Sequence, residues 1–136
     1  MHFNFSFIIP ANTPSIAPVT QILPIAYGVI TKVDIGIPAG HAATAHLQVL
    51  LHEFQIYPLN RDGDYHGDNA VISFNDRQEN YEAPYELKAR GWNTDPTYSH
   101  EFVIGIEIML PNQLGMQTGT QGLQDLQDLV GTTMET

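Results

Sequence analysis

The chain has 136 residues, fifteen acidic and five basic side chains, a formal net charge of -10 and no cysteine. Lack of cysteine excludes disulfide staples, thiolate metal sites and thiol nucleophiles. The five bases, Lys32, Arg61, Arg77, Lys88 and Arg90, are dispersed, so no nucleic acid and no membrane is expected among the partners, because both are anionic surfaces held by clustered cations.

A chain of this length exposes roughly 7,000 Å² folded against ~22,000 Å² extended, enough for one domain with a real core. Its first charged side chain is Lys32. The uncharged stretch before it is broken by Pro10, Pro14, Pro18 and Pro24, short of the ~20 apolar residues a spanning helix needs. It also reads poorly as a signal peptide, since it lacks a basic leading region. Phe3, Phe5 and Phe7 alternate with Asn4 and Ser6, which predicts a strand with three rings on one face. Ile8-Ile9-Pro10 closes it, and the prolines over 10–24 predict an extended traverse. Residues 1–24 are therefore read as an N-terminal strand and Pro-rich arm.

The body is read over 25–111. Val29, Thr31, Val33, Ile35 and Ile37 share one face of a predicted strand. A long run from about 44 to 57 follows, with Leu50 breaking its alternation and Pro58 stopping it. Residues 60–69 are dense in turn formers. Next come a short strand over 71–74, a polar connection over 75–83, and a strand in which Tyr85, Leu87 and Ala89 alternate with Glu86, Lys88 and Arg90. Phe102, Ile104, Ile106, Ile108 and Leu110 mark the clearest strand of all. Seven or eight short strands without a long helical period predict an all-β protein, an antiparallel, jelly-roll-like β-sandwich. Residues 112–136 form a polar tail in which Leu123, Leu126 and Leu129 have helical spacing.

Several chemistries fail on spacing. His52-Glu53 and His100-Glu101 each lack the second histidine of the helical His-Glu-x-x-His zinc motif, and both lie in strand-like sequence. Gly40, His46, Gln48 and Glu53 fall in the register of the cupin metal motif, which they resemble; Gln48 replaces one histidine and Asn60 the final glycine. A cupin-like metalloprotein is thus one alternative. The oxygen donors Asp62, Asp64 and Asp68 suit a hard cation such as Ca2+, but the loop fits the EF-hand spacing in neither register. Tyr57, Tyr65, Tyr81, Tyr85, Trp92 and Tyr98 are candidate sugar-stacking rings. A carbohydrate- or calcium-binding module is a second alternative, and convergence of Tyr65, Trp92 and the Asp62/Asp64/Asp68 loop on one exposed patch is the feature that would favour it.

The Phe3–Pro10 segment, the proline-punctuated stretch and the body strands over 28–38, 45–58 and 100–111 resemble, in style, small minor virion proteins of tailed phages: capsid decoration, head-surface and fibre subunits. That resemblance implies a non-catalytic structural subunit at a virion surface, without a cofactor, that joins a capsid or fibre lattice and forms homo-oligomers, trimers among them. A secreted or cell-surface setting is the alternative. On this reading Phe3, Phe5, Phe7, Ile8, Ile9, Pro10, Pro14, Pro18, Leu123, Leu126 and Leu129 are the expected partner-binding residues. The long charge-free segment gives the physical ground, because such a stretch is suited to lie against a neighbour's groove or sheet edge.

Overall fold

The computed structural model describes residues 1–117. In chain order the elements are β1 (His2–Ile9), β2 (Val19–Pro24), β3 (Gly28–Ile37), β4 (Ala45–Leu51), β5 (Phe54–Tyr57), β6 (Ala70–Asn80), β7 (Glu86–Asn93), β8 (His100–Met109) and α1 (Pro111–Gln117). The strands make two four-stranded antiparallel sheets, ordered β1-β8-β3-β6 and β2-β7-β4-β5. The pairs β1–β8, β2–β7, β3–β6 and β4–β5 nest like one long hairpin rolled over on itself, the connectivity of a jelly roll. The protein is an antiparallel β-sandwich, and its inward-facing side chains from both sheets form a single core.

The strongest alternation in the sequence builds the centre. Phe102, Ile104, Ile106 and Ile108 of β8 are fully buried and meet Val33 and Ile35 of β3 across the sheet. In β3 the simple period fails at one place. A register shift between Ile30 and Lys32 turns Ile30 into the core and leaves Thr31 half-buried, its hydroxyl donating to the Glu107 carbonyl at 3.3 Å. A bulge there buries an isoleucine in place of a threonine hydroxyl, which would need a partner inside.

The strand expected at the start of the chain is β1, whereas part of the Pro-rich arm expected over 10–24 is a second strand, β2. Residues 2–9 pair along their whole length with β8, and residues 19–24 pair with β7 in the other sheet. Phe7, Ile9 and Leu23 lie in the protein's own core. Both strands are sheet edges, where proline is tolerated because one side of the backbone needs no ladder partner. Pro18 precedes β2 and Pro24 ends it. Between them and β1, the Thr13 and Asn93 backbones exchange two hydrogen bonds of 2.9 Å, which hold the connection down.

Three further expectations change in detail. The run over 44–57 is a hairpin of β4 and β5, turned at His52 and Glu53, whose φ angles of 49° and 70° are the left-handed pair of a tight two-residue turn. The short strand expected over 71–74 and most of the polar connection after it are one eleven-residue edge strand, β6, which ends at Asn80. The body's end at 111 is followed by α1, which opens with a proline, where the missing amide costs nothing, and buries Leu114.

Between β3 and β4, His41 is buried with its ring 4.6 Å from that of His100. Its Nε2 donates to the Glu101 carbonyl at 2.8 Å, while its Nδ1 is buried with no partner among the described residues. Burial pushes the His41 pKa below the usual histidine value, and the neighbouring His100 lowers it further.

Candidate binding cleft on the second sheet

Along β2, β7 and β4 the core takes Leu23, Leu87, Ala89, Leu47 and Val49. Strand alternation sends the residues between them to the outer face. Cross-strand register then fixes who sits beside whom. Trp92 pairs with His46; Thr20, Arg90 and Gln48 form the next row; Ile22, Lys88 and Leu50 form the one after.

The loop after β5 is strapped over this face. Gln48 Nε2 donates to the Gly63 carbonyl at 2.9 Å, and Gln55 Nε2 donates to the Pro58 carbonyl at 2.7 Å. Arg90 donates from Nε and Nη2 to Gln48 Oε1 at 2.9 and 2.7 Å. The strap leaves a cleft of about 470 Å³ lined by Trp92, Arg90, Gln48, Gln55 and Asp62, with Ser15 and Pro18 closing it from the β1–β2 connection. One wall is an indole. The others offer a guanidinium with Nη1 unengaged among the described residues, a carboxylate, two amides and a hydroxyl. Such a set suits a ligand with an apolar face and hydroxyls around its rim.

Trp92 stacks on His46 with ring centroids 5.2 Å apart and planes 11° from parallel. His46 Nδ1 lies 2.7 Å from Asp64 Oδ1, and His66 Nδ1 lies 2.7 Å from the same oxygen. These three side chains are the one group of three or more histidines or acids, among the described residues, placed to share a metal ion.

The acidic loop does not gather. Asp62 lines the cleft and Asp64 joins the histidines. Asp68 instead accepts from the Gly40 amide at 2.8 Å, and that bond with others from the Ala42 and His41 amides holds its carboxyl below the usual range. The expected calcium set of Asp62, Asp64 and Asp68 is corrected accordingly: successive residues of a strapped loop point to different sides. The cupin-like set dissolves for a similar reason. Glu53 sits on the β4–β5 turn, accepting from Lys88 at 2.5 Å, while Gln48 is held by Arg90 and the Gly63 carbonyl.

Of the candidate stacking rings, Tyr65 turns inward against Phe74, 6.3 Å between centroids, and burial raises its pKa. Tyr57 is buried, its hydroxyl donating to Asp76 at 2.5 Å; burial and that carboxylate push its pKa far up. Tyr81 and Tyr85 group with Tyr27, at 5.1 and 6.0 Å from it, beyond the far end of β7 from Trp92. Tyr98 stands exposed by itself.

The expected partner-binding residues scatter. Phe7 and Ile9 are core. Phe3 and Phe5 are half-buried and stacked, 6.5 Å apart. Ile8, Pro10 and Pro14 are exposed, and Pro18 borders the cleft. Leu123, Leu126 and Leu129 lie outside the described residues. The sequence reading missed His66 and Arg90. Their signal was the alternation Asp64-Tyr65-His66 and Lys88-Ala89-Arg90-Gly91-Trp92, which puts polar groups on one side of an extended chain.

Among the described residues, eight strands in two sheets form a β-sandwich with a polar cleft on the outer face of one sheet. No family model and no curated protein matches the chain. Among solved structures it is similar to PirA, at 14% identity and a TM-score of 0.40 over 77% of this chain and 94% of that one. It is similar to the Yersinia pseudotuberculosis-derived mitogen at 10% identity and 0.37, over 80% and 86%. It is also similar to an exo-β-1,3-galactanase from Phanerochaete chrysosporium, solved with galactose, at 14% and 0.32 over 79% of this chain and 27% of that one. Among the described residues no helix is long and apolar enough to cross a membrane.

Proposed function

We propose that the chain is a non-catalytic binding module that takes a polyhydroxylated, sugar-like ligand in the Trp92–Arg90 cleft. Of the patch looked for in the sequence, Trp92 and Asp62 meet while Tyr65, Asp64 and Asp68 do not; the observation that carries the proposal is instead the placement of an indole, a guanidinium, an amide and a carboxylate around one cleft of about 470 Å³. The indole offers an apolar face to a pyranose ring, and the polar rim exchanges hydrogen bonds with its hydroxyls. The reading goes with a secreted or cell-surface setting. A glycan array probed with the native chain and with Trp92→Ala tests it. Binding by the native chain that Trp92→Ala loses supports the cleft. Binding lost instead in Tyr81→Ala moves the ligand to the tyrosine group and overturns it, as does a blank array.

A second reading keeps the chain as a structural subunit that pairs with copies of itself or with a capsid or fibre lattice on a virion. Its support is the β1 edge. That strand carries no Asp, Glu, Lys or Arg from His2 to Ile9, has unbroken register with β8 and leaves Ile8 exposed. Edge strands are ordinarily guarded by charge, proline or bulges, and an unguarded one can accept another strand. Sedimentation velocity of the native chain against Ile8→Lys checks this: an oligomer that the lysine dissociates supports it, and a monomer at high concentration removes it.

A further inference from the structure

We infer that His46, Asp64 and His66 form a divalent metal site of zinc type on the outer face of the second sheet. The sequence builds it through one short stretch of extra ladder. Leu47 N donates to the Tyr65 carbonyl at 2.9 Å, and Tyr65 N donates to the Leu47 carbonyl at 2.8 Å. This antiparallel bridge turns Leu47 and Tyr65 toward the core. Alternation then sends their chain neighbours outward, so His46 meets His66 and Gln48 meets Asp64 on the same side. The result is a convergence of three donors from two segments eighteen residues apart.

The three ligand atoms, Nδ1 of both histidines and a carboxylate oxygen of Asp64, lie within 4.8 Å of one another. One oxygen sits 2.7 Å from each Nδ1, and the imidazole centroids are 5.0 Å apart. Without an ion, each neutral imidazole carries its proton on Nδ1 and donates it to that oxygen. When a dication enters, both protons move to Nε2 and the freed Nδ1 lone pairs bind the metal, with no net proton lost from the neutral rings. Metal–nitrogen bonds near 2.0 Å set the ligand atoms roughly 3.3 Å apart around a tetrahedron. Each oxygen–nitrogen pair, now 2.7 Å apart, therefore opens by about 0.6 Å.

The donor set selects the ion. Two imidazole nitrogens and one carboxylate oxygen favour Zn2+ or its neighbours Co2+ and Ni2+ over Ca2+, which prefers six to eight oxygens. The site is held on one side and open on the other. His46 is 20% and Asp64 15% exposed, the former stacked on Trp92, while His66 is 51% exposed. Three protein ligands with an accessible fourth position leave room for water or a ligand group. The site does not depend on sugar binding: a chain that takes zinc but no saccharide leaves it standing, and the reverse leaves the cleft standing.

The test uses the untagged chain. Isothermal titration with ZnCl2 is expected to give one equivalent bound. Titration with CoCl2 is expected to quench the fluorescence of Trp92, the single tryptophan of the chain, because the ion enters next to its stacking partner. Asp64→Asn and His66→Ala should each weaken zinc at least tenfold, while His52→Ala, on the remote hairpin turn, should leave it unchanged. Circular dichroism of His66→Ala, whose side chain is half exposed, confirms the fold. Uptake of less than half an equivalent, or affinity kept within twofold in both Asp64→Asn and His66→Ala, overturns the inference.

Discussion

Truncating Phe7 to alanine asks whether the charge-free N-terminal strand belongs to its own body. Phe7 is 1% exposed, its Cε2 would come within 3.0 Å of a Cβ added at Gly91, and its backbone partner on β8 is the fully buried Phe102. Removing a buried phenylalanine ring costs about 3–5 kcal/mol, from lost transfer energy and the cavity left behind. A domain of this length has an unfolding entropy of roughly 0.29 kcal/mol/K, so the loss is ~10–17 °C in Tm. Total stabilities of about 5–15 kcal/mol leave a folded variant to measure. Ile8, its neighbour, is 59% exposed and points away; Ile8→Ser should cost less than about 0.5 kcal/mol, or ~2 °C. Thermal unfolding followed by circular dichroism on both variants gives the comparison. Equal, small shifts would mean that β1 does not pack in its own core, and the corrected arm would have to be restored.

Gly91→Ala probes the same packing from the other sheet. The new Cβ would lie 2.5 Å from Ile9 Cδ1 and 2.7 Å from the His46 carbonyl oxygen, so overpacking should cost about 1–3 kcal/mol, read as a lower urea midpoint; an unchanged midpoint refutes the close approach. Because burial lowers the His41 pKa from 6.5, the unfolded chain binds the extra proton first and stability falls as pH drops below 6.5. The slope of Tm between pH 7 and 5 should flatten in His41→Gln, and an unaltered slope rejects the assignment. The turn at His52 and Glu53 holds two non-glycine residues at positive φ, so the double variant His52→Asn/Glu53→Gly should gain about 1 kcal/mol, even after losing the Glu53–Lys88 pair, seen as a higher Tm. A lower Tm would show the ion pair to matter more than the backbone.

Much of the body was legible because burial and alternation coincide in it. β8 carries four apolar residues at period two, and nothing competes with that signal. The first two dozen residues misled for a physical reason. Absence of charge marks a surface kept from water, yet it does not say whose atoms do the covering. Here the answer is shared: Phe7, Ile9 and Leu23 enter the protein's own core, while the uncharged outer side of β1 remains open. The prolines over 10–24 were read as an extended traverse, where Pro18 and Pro24 border an edge strand. The metal cluster was hidden by distance along the chain. His46 was visible as a polar residue in a strand, but Asp64 and His66 sat among turn formers, and only the Leu47–Tyr65 bridge aligns them. Arg90 was legible as an outward residue, though its bond to Gln48 needed the β4–β7 register.

The cleft itself has a built-in reporter, since Trp92 is the chain's single tryptophan. A fluorescence titration of the native chain and of Arg90→Ala with saccharides of several classes measures occupancy there directly. A saturable change with at least one class, protection of the indole from acrylamide quenching, and loss of both in Arg90→Ala are the expected results. An emission spectrum and quenching constant that no saccharide alters, or a change that persists undiminished in Arg90→Ala, would contradict ligand binding at this face.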